Sequence, residues 1–257
     1  MWANLPPPPG QLAGSVSLAP VALRIARAEL AVAAARLGAL TDFYGQTLGL
    51  PVEPADGRVV VLVGGDVLEL VAAEDAGEPF HHFALLVPGD RFDTAHAWLG
   101  ERVERLARDD GETVFAFDFW DARATYFHDP AGNIVELIAH AGVAEQPGAA
   151  GDFTAAELAG LSEVGIVVDR PADATAALER ELGLELWSGD AEQLAFVGAK
   201  AHTLILSSPG RGWLPTGRPA EAHAATLTVS IEDGDAQGVV LGSTPERRVR
   251  GKASGLR

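Results

Sequence analysis

The chain has 257 residues with 36 acidic and 19 basic side chains, a formal net charge of −17, and no cysteine. That length holds one large or two small domains, and an apolar content of 47% is ordinary for a protein with a sizeable core. The charge argues against nucleic acid or an anionic membrane as main partner, and the lack of thiols excludes disulfides, thiolate metal sites and a cysteine nucleophile.

Residues 1–22, beginning "MWANLPPPPG", read as a Pro-rich extended arm, not a signal peptide. No run approaches the roughly 20 apolar residues of a membrane span, so the expected location is the cytoplasm. A short strand from Glu29 leads to a helix over 37–48, with Leu40, Phe43, Tyr44, Thr47 and Leu48 on one stripe and Gly49 placed to end it. Further strands follow, among them "DVLELVAAE". "FHHFALLVP" is the next strand, "RFDTAHAWLGERV" a helix, and "ERLARD" and "TVFAFDFW" supply further strands. "ATYFHDPAGNIVELIAH" is a hairpin: Asp129, Pro130, Gly132 and Asn133 are turn formers between two strand-like runs. Glu136 lies among Ile134, Val135, Leu137 and Ile138, and a carboxylate there is either exposed at an edge or has a partner that compensates its desolvation.

The chain then repeats itself. Glu29 to Gly49 is twenty residues and so is Glu163 to Gly183; Leu50 to Gly64 and Leu184 to Gly198 are both fourteen. The unit is strand, helix, then three strands, and it occurs at about 26–76, 79–141 and 161–208. One more strand, "AATLTVSIED", follows the third unit. The last twelve residues, "ERRVRGKASGLR", carry five positive charges and one negative, and read as a disordered tail.

"DFYGQTLGL", "FHHFALLVP" and "YFHDPAGNIVELIAH", in this order and spacing, resemble the glyoxalase / bleomycin-resistance / extradiol-dioxygenase superfamily, the vicinal oxygen chelate proteins. The resemblance implies an α+β fold in which paired βαβββ units form a curved-sheet cleft. The expected division is an arm (1–22), one complete module of two units (23–142), a linker (143–160), a half-module with an extra strand (161–235) and a basic tail (236–257). It also implies a divalent metal (Mn, Ni, Zn, Fe or Mg) on Glu29, Glu69, His82 and Glu136, and none in the third unit, where Thr203 matches Glu69. Three carboxylates exceed by one the charge that such an ion neutralises.

The activity so implied is glyoxalase-like: isomerase, epimerase or lyase chemistry on a small substrate with adjacent oxygens, through an enediolate, with Glu136 or Glu29 as base. Phe117, Phe119, Trp120 and Tyr126 would shape the substrate pocket and Arg123 would meet a substrate anion. Ring-cleaving dioxygenase chemistry is disfavoured, because Glu29 stands where such enzymes use a histidine. The alternative is a metal-free small-molecule binding or drug-sequestering protein of the same superfamily. The uncovered half-module also suggests a homodimer.

Overall fold

A computed structural model describes residues 23–73, 77–231, 238–243 and 245–253. The expected N-terminal arm, 1–22, lies outside the described residues. No described helix is long and apolar enough to cross a membrane.

The first unit contains β1 (Leu23–Ala33), α1 (Leu37–Asp42, continued by a π turn over Phe43–Thr47), β2 (Val52–Ala55), β3 (Arg58–Val63) and β4 (Asp66–Ala73). The second contains β5 (His82–Val87), α2 (Phe92–Gly100), β6 (Arg105–Leu106), β7 (Phe115–Phe117), β8 (Ala122–His128) and β9 (Ile134–His140). The third contains β10 (Gly160–Val167), α3 (Pro171–Leu182), β11 (Leu186–Gly189), β12 (Leu194–Ala199) and β13 (His202–Ser207). A small hairpin, β14 (Gly212–Trp213) and β15 (Arg218–Pro219), then precedes β16 (Ala225–Ile231), β17 (Gly238–Ser243) and β18 (Glu246–Ala253).

In each of the first three units the first strand runs parallel to the last: β1 to β4, β5 to β9, β10 to β13. β16 and β18 repeat that parallel pairing, with β17 antiparallel to β18. The segment after residue 225 is therefore a shortened fourth unit. The basic sequence expected to be a disordered tail supplies β18, because Val249 alternates into the core between Arg248 and Arg250.

The units pair differently from the expected order. β5 is antiparallel to β10, which joins the second unit to the third; β1 is antiparallel to β16, which joins the first to the fourth. β1 and β10 meet only at Ile25 and Leu161, and this contact links the two halves into a 16-stranded sheet. The half-module whose open sheet suggested a second copy thus finds its partner within the chain.

One apolar core runs through both halves. It takes Leu30, Val32 and Leu68 from the first unit, Phe83, Leu85 and Phe127 from the second, Val164 and Leu206 from the third, and Leu227 and Val249 from the fourth. Tyr44 and Leu40, from the expected helical stripe, lie in it. At the seam, buried Asp66 accepts from the Leu161 backbone N–H at 2.9 Å and from Arg24. Gly160 has φ of 148°, and a Cβ there would stand 2.1 Å from Asp66 Oδ2, so only glycine admits this carboxylate.

The Asp-Pro-Ala-Gly-Asn turn forms as its residues suggest. Asp129 Oδ1 accepts from the backbone N–H groups of Ala131 and Asn133. Its other oxygen accepts from Asn133 Nδ2 and from the Tyr44 hydroxyl, both at 2.8 Å. Asn133 in turn receives the His81 N–H at 2.7 Å, which fixes the start of β5 against the start of β9.

Candidate metal centre

The β5/β10 junction brings three buried ligating side chains together. Ala84 pairs with Glu136 on β9 and with Glu163 on β10, so the two carboxylates flank one residue of β5. His82 lies two residues earlier and projects to the same face. One ligand atom from each of His82, Glu136 and Glu163 lies within 4.8 Å of the others.

The electrostatics of this group are those of buried charges without a counter-ion. His82 Nδ1 lies 3.1 Å from the Ile134 carbonyl, an acceptor only, so that nitrogen carries the proton and donates it. Nε2 is left as a lone pair, 3.6 Å from Glu136 Oε2. Burial lowers the His82 pKa to about 4, leaving the ring neutral at pH 7. Burial also raises Glu163 to about 8. It pushes Glu136 well above the usual carboxylate range, with the neighbouring Glu163 charge adding to the effect and a Tyr126 hydrogen bond opposing it. Glu163 Oε1 is buried with no hydrogen-bond partner.

A neutral imidazole nitrogen and two carboxylates suit a divalent ion of the Mn, Fe, Ni, Zn or Mg type and balance its charge. The orphaned Glu163 oxygen is what such a site looks like before its cation is counted.

The sequence-based set divides across the molecule. His82 and Glu136 are in this centre. Glu29 and Glu69 are neighbours of each other across β1 and β4 in the other half. There Glu69 is buried between Arg27 and Arg58, and Arg27 Nε also lies 3.6 Å from Glu29. Counting from the paired carboxylates, Arg27 stands on β1 where His82 stands on β5, so the first unit supplies its own cation as a guanidinium. Glu163, from the unit expected to carry no metal ligand, takes the place assigned to Glu29. Its signal was present: "LSEVGIVV" is as apolar around its glutamate as "IVELI", and Glu163 already matched Glu29 in the repeat.

A cleft of about 470 Å³, including its open mouth, leads to the three ligands. Phe117, Trp120 and Tyr126 line it as expected, joined by Leu194, Phe196 and Ile205 from the third unit. Two other pocket assignments change. Phe119 is 43% exposed and packs its ring on the outer side of Trp120, with ring centroids 4.8 Å apart. Arg123 faces the helix layer, where it bonds Asp93 at 2.7 Å and stacks over Phe92. One-residue alternation on β8 explains this, since Arg123 lies between Ala122 and Ala124, which both face the cleft cluster.

The β14–β15 hairpin adds residues that the sequence did not single out. Trp213 packs on His82 at 5.2 Å between ring centroids, and Leu214 and Arg211 complete the mouth. A Cβ at Gly165 would lie 2.7 Å from Trp213 Cη2, so the bare backbone of β10 is what seats this indole.

Fold and site together give paired βαβββ units with side chains that could hold a metal on the facing strands. Solved structures support this at the level of the fold. A Bacillus subtilis protein with a provisional dioxygenase name superposes at a TM-score of 0.56 with 15% identity, covering 90% of this chain and 86% of its own. A single-substitution variant of glyoxalase I from Zea mays gives 0.52 with 14% identity over 91% and 93%. A second variant of the same enzyme gives 0.52 with 14% identity over 90% and 94%. These likenesses extend over nearly the whole chain, not over one pair of units. No protein-family model matches the chain, and no curated protein does.

Proposed function

We propose that the β5/β10 cleft is the active site of a divalent-metal-dependent enzyme of the isomerase, epimerase or lyase type, acting through an enediolate on a substrate with two adjacent oxygens and an apolar body. The observation that carries this reading is the convergence of buried His82, Glu136 and Glu163, with one Glu163 oxygen unpartnered. A metal held by these three residues supplies Lewis-acid polarisation of a substrate carbonyl.

The chain's own groups do the rest. Tyr126 donates to Glu136 and fixes its orientation. The Ile134 carbonyl holds His82 in the tautomer that presents Nε2 to the cleft. Glu163 Oε1, the carboxylate oxygen with no protein partner, would take the proton from carbon beside the carbonyl and return it when it is not engaged by the metal. Phe117, Trp120, Phe196 and Trp213 exclude water and select an aromatic or otherwise apolar substrate body.

One histidine with two carboxylates differs from the two histidines and one carboxylate of ring-cleaving iron sites, which keeps that chemistry disfavoured. A metal-free binding protein is the second reading. It draws on the apolar lining and on Glu29 and Glu69 lying elsewhere, while Glu163 restores a three-ligand set and favours the enzyme. Glu163→Gln tests the choice: under the enzyme reading it loses bound metal and turnover of α-oxygenated carbonyl substrates together. Ligand binding that is unaffected by chelator and by this substitution would establish the binding protein instead.

A further inference from the structure

We propose that the open face of the other half, across β1, β16 and β18, is a separate binding site for a dianionic small molecule of the phosphate-monoester type. Register places three rungs on this face. Thr226 lies between Glu29 and Arg248, Thr228 between Arg27 and Arg250, and Ser230 between Arg24 and Lys252. Directly opposed residues share a face, so a line of hydroxyls runs between Arg24, Arg27 and Glu29 on β1 and an all-cationic line on β18, the two lines about 9.6 Å apart.

The charges sort themselves. Arg24 pairs with Asp66, Arg27 and Arg58 hold Glu69, and Arg248 pairs with Glu246. Among the described residues Arg250 and Lys252 have no acidic partner, and both are exposed. An excess of two positive charges thus sits beside Thr228 and Ser230, in a chain whose net charge is −17. Two hydroxyl-bearing residues about 6.7 Å apart along the strand, with a guanidinium and an ammonium alongside, suit the oxygens and the charge of a phosphate dianion. The matching rungs of the β5/β10 half pair Glu163 with Thr203, Gly165 with Ile205 and Val167 with Ser207, with no arginine or lysine among them, so this face does not duplicate the metal centre. Arg27 and Arg58 already neutralise Glu69, which leaves no vacancy for a cation here.

The test is titration of the full chain, in chelator and at low salt, with inorganic phosphate as probe, read by calorimetry. Saturable one-to-one binding is expected, weakened about tenfold or more in Arg250→Gln/Lys252→Gln. Thr228→Val/Ser230→Ala keeps every charge and the strand propensity, and is expected to weaken binding several-fold as well. Each variant is checked for native circular dichroism. Absence of saturable binding overturns the proposal, as does unchanged affinity in either variant; hydroxyl independence would mean a diffuse potential, not a site. A wild-type dimer that Arg250→Gln/Lys252→Gln dissociates would also overturn it, because the face would then be a subunit interface.

Discussion

Removing the metal should make the protein lose stability as pH rises, and Glu163→Gln should suppress that loss. In the metal-free chain burial raises the Glu163 pKa from 4.5 to about 8. Below pH 4.5 the carboxyl is protonated in both folded and unfolded chains and costs nothing. Between 4.5 and 8 the unfolded chain releases its proton while the folded chain keeps it, so stability falls with pH; above 8 the full penalty is present. At about 1.4 kcal/mol per pH unit the loss across that window is on the order of 3–5 kcal/mol, a large share of the roughly 5–15 kcal/mol that holds a domain folded. Glu136 contributes with the same sign. The assay is urea unfolding of chelated protein at pH 5 and pH 8. Wild type should lose stability steeply, Glu163→Gln much less. Divalent metal at one hundred times its Kd should restore about 2.7 kcal/mol to wild type alone. A flat profile in chelated wild type, or equal slopes in both proteins, would refute the reasoning.

Three more outcomes follow from particular contacts. Tyr126→Phe removes the donor that opposes protonation of Glu136, so metal affinity should drop about tenfold with the fold intact, measured by competition with a chromophoric chelator. Gly165→Ala forces Trp213 from its seat and should cost about 1–3 kcal/mol in overpacking, with a change in tryptophan emission and reduced turnover; wild-type emission and activity would show that the indole does not close the cleft. Arg27→Gln leaves Glu69 with Arg58 as its guanidinium partner, and because Arg27 is 39% exposed the cost should be only about 1 kcal/mol, without loss of metal from the other half.

Much of the architecture was legible because local signals agreed. The Leu-Gly-Leu repeats, the Asp-Pro-Ala-Gly-Asn turn and the lone glutamates in apolar strands each had a physical reason visible in the residues. What the sequence could not show is which first strands lie side by side. Repeat spacing marks the units, but pairing β5 with β10 and not with β1 is settled by tertiary packing: the Asp66–Leu161 seam, Gly160, and the Gly165–Trp213 contact. That single undetermined step moved Glu29 and Glu69 out of the candidate centre and brought in Glu163. The fourth unit was hidden for a different reason. It shows no helix among the described residues, and alternating arginines around Val249 look like a solvated tail unless a neighbouring strand is known to be there. The hairpin bearing Trp213 carries no periodicity at all.

The central claim is that His82, Glu136 and Glu163 hold one divalent metal. Metal content per chain, by plasma mass spectrometry on protein purified without a histidine tag or chelator, tests it most directly when wild type is compared with Glu163→Gln and Glu69→Gln. About one equivalent is expected in wild type and in Glu69→Gln, and essentially none in Glu163→Gln. Full occupancy in Glu163→Gln, or loss in Glu69→Gln with the fold retained, would contradict it.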